Sequence, residues 1–276
     1  MYPFIEFAGH KLSSYHLCAA LAGIIGWALS VLYLRKKNRG AWAVCLPVLV
    51  AAAALVGARL LNRVTNPRAF SGDDPVWALS YGRLSLMGGL IAGVIVLIVY
   101  CLLRKEKLAV LADAFTVPAA AGILLLKLGC FLNGCCHGKP TDGPFGMVFP
   151  ANAVKYSFIN SLKTVSAKSP LVHPTQLYEI AGAVIALTAA ATLPRILKLK
   201  EGSRAAIFAA LFSVARWIVL PLRELPYDRQ IVTTVYPCLY AACICCAVLF
   251  FLLRSFAGSR KKQPDGTKNE EYPSRK

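Results

Sequence analysis

Seven runs of predominantly apolar residues divide the chain, at about 14–34, 41–61, 84–103, 108–128, 177–197, 205–222 and 236–253. A helix needs about 20 such residues to cross a hydrocarbon core about 30 Å thick. The pattern predicts an all-α polytopic membrane protein with about seven transmembrane helices. Small residues recur in several runs, as in GGLIAG at 88–93, where they permit close helix packing in lipid. The N-terminal MYPFIEFAGHKLSSY lacks a basic stretch before the first apolar run and a small-residue cleavage site, so no cleavable signal is expected. No internal repeat is evident, which leaves an inverted-repeat transporter without direct support.

Charge sets the direction of the spans. Arg35, Lys36, Lys37 and Arg39 follow the first; Arg104, Lys105 and Lys107 follow the third. Arg195, Lys198, Lys200 and Arg204 follow the fifth, and Arg254, Arg260, Lys261 and Lys262 the seventh. These clusters share one side if the chain alternates, and that side is expected to be cytoplasmic. The N-terminus is then outside and the C-terminus inside. Arg59, Arg63, Arg68 and Arg83 are the exceptions, on the outer side. The division expected is a transmembrane helical domain over 1–255, with an extracytoplasmic loop at about 133–172, and a disordered basic cytoplasmic tail over 256–276.

Composition agrees with the spans. The 276 residues are 57% hydrophobic and 16% charged, against about 45–50% and about 25% in soluble domains. That argues against a soluble nucleotide-binding enzyme, a disordered chain and a secreted disulfide scaffold. The formal charge of +18 would suggest nucleic acid in a soluble protein. Here the cations flank apolar runs, and no nucleic-acid partner is expected. Of ten cysteines, Cys18, Cys45, Cys101, Cys238, Cys243, Cys245 and Cys246 lie within the runs, where Cys behaves as a small hydrophobe.

The polar residues inside the spans carry the functional signal, because ionisable groups in lipid are costly. With alternating spans, Tyr15 and His16 start the first and Met87, Gly88 and Gly89 the third. Lys127 ends the fourth, and His173, Gln176, Tyr178 and Glu179 start the fifth. Arg216 lies deep in the sixth, which Arg223 and Glu224 close. All fall toward the outer half of the bilayer; Asp113 is the inner exception. One cavity open to the outer leaflet would unite them, against the alternative of scattered interfacial residues. Lys127, Arg216 and Arg223 would make it cationic, and the anion at that depth is a phospholipid head group.

The long loop opens with Cys130-Phe131-Leu132-Asn133-Gly134-Cys135-Cys136-His137-Gly138. A metal site on Cys130, Cys135, Cys136 and His137 lacks the usual Cys-x2–4-Cys and His-x3–5-His pairing, so no metal and no cofactor is expected. Cys135 or Cys136 with His137 as base is a second reading. The favoured one is a Gly-rich turn whose backbone and Asn133 line the lipid site.

In this order the segments resemble the prolipoprotein diacylglyceryl transferase family. The likeness runs through Ser14-Tyr15-His16-Leu17, Met87-Gly88-Gly89-Leu90, Leu126 to Cys135, His173-Pro174-Thr175-Gln176-Leu177-Tyr178-Glu179, and Arg216 to Arg223. It implies a seven-span enzyme of the bacterial cytoplasmic (inner) membrane. Such an enzyme moves the diacylglyceryl group of phosphatidylglycerol to the lipobox cysteine of a prelipoprotein, with glycerol phosphate leaving. The implied partners are phosphatidylglycerol, the prelipoprotein signal peptide and membrane lipids. The residues expected to act in catalysis are Lys127, Arg216 and Tyr15, with His173 or, as the alternative, His137 as base. Those binding substrate are Lys127, Asn133, Gly134, His137, Gln176, Tyr178, Glu179, Arg216, Arg223, Gly88 and Gly89. Five departures from the family pattern change the chemistry of the site. Met87 stands for a histidine, Lys127 for an arginine, Cys130 for an asparagine, and Cys135 and Leu220 for glutamates. These leave two alternatives, a paralogue with another acceptor and a catalytically silent lipid-binding protein.

Overall fold

The computed structural model describes residues 4–7, 10–36, 40–65, 84–149, 171–225 and 227–259. An antiparallel hairpin of β1 (Phe4–Phe7) and β2 (His10–Ser13) leads into α1 (Ser14–Arg35). Then come α2 (Trp42–Thr65), α3 (Leu86–Arg104) and α4 (Leu108–Asn133). A short antiparallel pair, β3 (Met147–Val148) and β4 (Leu171–Val172), precedes α5 (Thr175–Ile196). The chain ends on α6 (Ser203–Val219), a 3-10 turn at Leu220–Leu222, a π turn at Ile231–Val235 and α7 (Tyr236–Ser259).

Among the described residues, seven helical segments are long and apolar enough to span a membrane. Their outer faces carry exposed Val64, Leu102, Leu103 and Ile218, side chains that lipid rather than water would solvate. The protein is a polytopic membrane protein. The tail expected over 256–276 and the middle of the loop at 133–172 fall largely outside the described residues, as do Arg68 and Arg83.

The helices pack as α1 on α4, α2 on α3, α5 on α4 and α6, and α6 on α7. With no water to expel between helices in lipid, close contact depends on small residues. Ala120 on α4 and Ala183, Ala186 and Ala190 on α5 are wholly buried. The α2–α3 crossing is closer still. A Cβ on Gly88 would overlap the Gly57 carbonyl, and one on Gly89 would stand 3.1 Å from the Ala54 carbonyl oxygen. Gly88 and Gly89, read from sequence as lipid contacts, are held in helix packing.

Two element boundaries differ from the apolar runs. Helix α4 continues past residue 128 to Asn133, because Phe131 and Leu132 extend its apolar surface until Gly134 stops it. Lys127 is therefore inside a helix rather than at its end. Helix α6 gives way to the 3-10 turn at Leu220, next to Pro221, whose ring cannot continue a helix interior.

Asp113, the polar residue at the far end, has a structural role. Its Oδ2 accepts from the Gly202 amide at 2.7 Å and its Oδ1 from the Ala205 amide at 2.9 Å. These donors open α6, and a carboxylate there satisfies orphan N–H groups and favours the helix dipole. Gly202 sits at φ 91, where only glycine is unstrained. Asp113→Ala is expected to destabilise the protein by about 1 kcal/mol. Thermal unfolding in detergent should show it, with Asp113→Asn retaining part of the cap.

A candidate active site built on Glu179

The first turn of α5 places Glu179 in the interior, 1% exposed. Three cations from three other segments surround its carboxylate. Lys127 of α4 meets Oε2 through Nζ, Arg216 of α6 meets Oε2 through Nη1 at 3.0 Å, and Arg223 meets Oε1 at 3.1 Å. One carboxylate among three cations leaves two positive charges without a formal counter-charge in the cluster. The Arg216 guanidinium is fixed from a second side. Its Nε and Nη2 both donate to the Tyr240 hydroxyl of α7 at 3.3 Å. An ion group this deep is supportable only when such hydrogen bonds accompany the charge pairing.

The depth argument from sequence thus brings Lys127, Glu179, Arg216 and Arg223 together. It expected an open cationic cavity. Instead the cations are already closed around a carboxylate, because Glu179 projects inward from the start of α5. Tyr240 was missed: a tyrosine near the start of a span reads as interfacial, and only the packing of α6 on α7 gives its hydroxyl a cationic partner.

The turn after α4 lies against this group. Gly134 has φ 72, and the Gly134 and Cys135 amides donate to Phe131 O at 3.1 Å and Cys130 O at 3.0 Å. This glycine-dependent cap reverses the chain over the last helical turn. It carries Cys135 and Cys136 back toward Cys130, and the three Sγ atoms lie within 4.8 Å of one another. Spacing alone disfavoured a metal site here; the cap gives a short span the convergence that a Cys-x2–4-Cys loop ordinarily provides. Hydrogen bonds from the Cys130 and Cys135 thiols hold Cys136 well below the ordinary thiol range, and the Lys127 and Arg223 charges act in the same direction.

Helix α5 anchors that turn. Gln176 Nε2 donates to Cys135 O at 2.6 Å and the Thr175 hydroxyl to Cys136 O at 2.9 Å. Beyond it, Gly138 N donates to His173 O at 2.7 Å and Lys139 N to Leu222 O at 2.8 Å. The 138–140 strip is thereby clamped between the approaches to α5 and the end of α6. Gly138 is required there, since a Cβ would fall 2.8 Å from both His173 Cβ and Thr175 Cγ2.

The remaining sequence candidates lie around this core. Asn133 and Gly134 are buried at the end of α4. His137 is buried against Phe149, with Nδ1 3.1 Å from Gly138 O. Its Nε2 and Gln176 Oε1 are buried atoms with no hydrogen-bond partner among the described residues. His173 Nδ1 stands 3.4 Å from the Tyr178 hydroxyl. Tyr15 begins α1, where its Cα would lie 3.3 Å from a Cβ on Gly129 of α4. Burial pushes the Tyr227 hydroxyl far above its ordinary range, and it donates to Asn62 Oδ1 at 3.2 Å. The two departures Met87 and Leu220 share one buried apolar cluster with Tyr236 and Tyr240.

A family model described as prolipoprotein diacylglyceryl transferase matches residues 3–254. The phosphatidylglycerol–prolipoprotein diacylglyceryl transferase of Bifidobacterium adolescentis is 26% identical over 216 residues, 74% of this chain and 64% of its own. The enzyme of the same name from Prochlorococcus marinus is 26% identical over 230 residues, covering 74% and 72%. That of Parasynechococcus marenigrum is 30% identical over 178 residues, covering 63% and 60%. The chain thus spans 60% to 72% of the length of these relatives.

Proposed function

The chain belongs to the prolipoprotein diacylglyceryl transferase family, and from that premise we propose that it transfers the diacylglyceryl group of phosphatidylglycerol to a prelipoprotein cysteine. The acceptor sulfur attacks the glycerol carbon that bears the phosphate. A C–S bond forms, the C–O bond breaks, and its electron pair leaves on glycerol phosphate. The thiol proton is lost to a base or to water.

The observation that carries this reading is the charge of the buried cluster. A phosphodiester arrives with one negative charge and departs as a monoester with up to two. Lys127, Arg216 and Arg223 around Glu179 hold two positive charges in excess, which matches the leaving group better than the bound lipid. Stabilising charge that develops in the transition state is the form of electrostatics that accelerates a reaction. Gln176 Oε1 and His137 Nε2 have unspent hydrogen-bonding capacity suited to head-group hydroxyls. Asn133 and Tyr15 help orient the lipid, and Tyr178 orients His173, the candidate base. Imidazole titrates near neutrality, which suits that task.

The site end of the bundle faces the extracytoplasmic side in this reading. Residues 1–255 form the transferase domain, and 256–276 form a cytoplasmic tail beside anionic lipids. The membrane is the bacterial cytoplasmic membrane. The basic ends of α1, α3 and α5 support that orientation.

The test is reconstitution in phosphatidylglycerol vesicles with a lipobox peptide, read as diacylglyceryl-peptide mass and glycerol phosphate release. Product from the cysteine peptide and none from its serine analogue supports the reading; release without peptide modification points to another acceptor. His173→Ala is expected to lower the rate more than His137→Ala. Equal, mild losses would mean that neither imidazole takes the proton.

A further inference from the structure

Three cysteines at the site are not used by the transfer chemistry above. Cys130 is buried in the last turn of α4, Cys135 is half-buried, and Cys136 is the most exposed; all three are free thiols. The convergence is built rather than incidental. The Gly134 cap folds the chain back, and Gln176 and Thr175 fix the carbonyls of Cys135 and Cys136. Cys136 is held at φ 63, a left-handed conformation that a residue with a Cβ adopts at an energetic cost. In that conformation its sulfur lies within 4.8 Å of the other two.

Soft thiolates select zinc and related cations. Sulfurs at about 2.3 Å from a tetrahedral Zn2+ stand about 3.8 Å apart, inside the 4.8 Å span found here. Three protein ligands with an open fourth position is the arrangement of zinc sites that act on a substrate. A Zn2+ ion with three thiolates carries one negative charge, which would offset one of the two excess positive charges around Glu179 and leave the other for the departing phosphate.

We propose that Cys130, Cys135 and Cys136 hold a zinc-type thiophilic cation whose fourth position binds the acceptor cysteine as thiolate. The acceptor's identity rests on the transferase reading; the metal site does not. The need is chemical. A free thiol is only a few per cent ionised at neutral pH, and Met87 occupies the position of the family's histidine. A thiol bound to such a cation is deprotonated outright. The acceptor S–H bond breaks as sulfur binds, and the proton passes to His173, the candidate base, or to water. The sulfur lone pair then forms the C–S bond as the C–O pair leaves with glycerol phosphate. The product is a neutral thioether, a weaker ligand than the thiolate, so it departs from the metal.

The experiment uses the full chain in phosphatidylglycerol nanodiscs, with Co2+ as the spectroscopic probe. The expected result is one Co2+ per chain, with thiolate-to-cobalt absorption and four-coordinate visible bands, displaced by Zn2+. A lipobox peptide shifts the visible bands and its serine analogue does not. The Cys130→Ser, Cys135→Ser, Cys136→Ser triple variant loses the bands, and chelation of the wild type lowers transfer about 100-fold or more, the scale of base catalysis. Absence of the thiolate band in the wild type overturns the site, as does its survival in the triple variant. No response to the peptide, or full transfer after chelation, overturns the role in activating the thiol. If the triple variant does not fold, the wild-type spectra and the chelation result decide. Cobalt binding with a peptide-induced shift but no lipidated product supports the metal site and defeats the transferase reading instead.

Discussion

Arg216→Ala is expected to abolish diacylglyceryl transfer, with a loss of at least about 100-fold, the scale for removing one donor to developing oxyanion charge. The protein should still insert and fold. Glu179 would keep Lys127 and Arg223 as partners, so no buried carboxylate is left alone. What disappears is one of the three cations proposed to receive the departing phosphate. Arg216→Lys should recover little. The guanidinium reaches Glu179 with Nη1 and Tyr240 with Nε and Nη2, and an ammonium lacks that planar fork. Lipopeptide mass gives activity, and folded yield in detergent separates it from insertion. Near-full transfer by Arg216→Ala would make the residue a structural partner of Glu179 and nothing more.

Glu179→Ala should do more damage, and to the fold itself. Lys127, Arg216 and Arg223 would face one another in the interior without a carboxylate. Removing one member of a buried ion pair costs about 3–5 kcal/mol, and here the removed group serves three partners. Such a loss is comparable to the whole stability of many domains, so folded protein should be scarce. Glu179→Gln keeps the shape and removes the charge, which makes the cause measurable. Its unfolding temperature should rise on adding phosphatidylglycerol and not on adding a zwitterionic lipid, because the phosphate then supplies the missing anion. Equal stabilisation by both lipids would place the lipid phosphate elsewhere.

The seven spans were legible because lipid leaves little choice. Each run had to be long, apolar and self-satisfied in hydrogen bonds, and these run lengths met that demand. The shared depth of Lys127, Glu179, Arg216 and Arg223 was legible for the same reason, since deep charges need one another. Their closed arrangement was not, because it depends on where α5 begins relative to α4 and α6. The role of Tyr240 and the cluster it shares with Met87 and Leu220 were hidden likewise, as both arise between segments far apart in sequence. The cysteine convergence was hidden by a single backbone feature. A left-handed cap at Gly134 undoes the separation that the spacing of Cys130 and Cys135 implies. Asp113 stood out as a polar residue in a span, yet its partners are backbone amides, which no side-chain pattern announces.

That capping carboxylate also ties the far ends of the two helices that carry Lys127 and Arg216. Lys127 lies about 21 Å along α4 from Asp113, and Arg216 about 20 Å along α6 from Ser203, at 1.5 Å per residue. The two parallel helices are thus tied at one end by Asp113 and joined at the other through Glu179, like opposite sides of a hinged frame with equal arms. Such a frame can lean without changing the separation of its far corners. A lean of α4 and α6 together would therefore leave Lys127 and Arg216 at the same separation about Glu179.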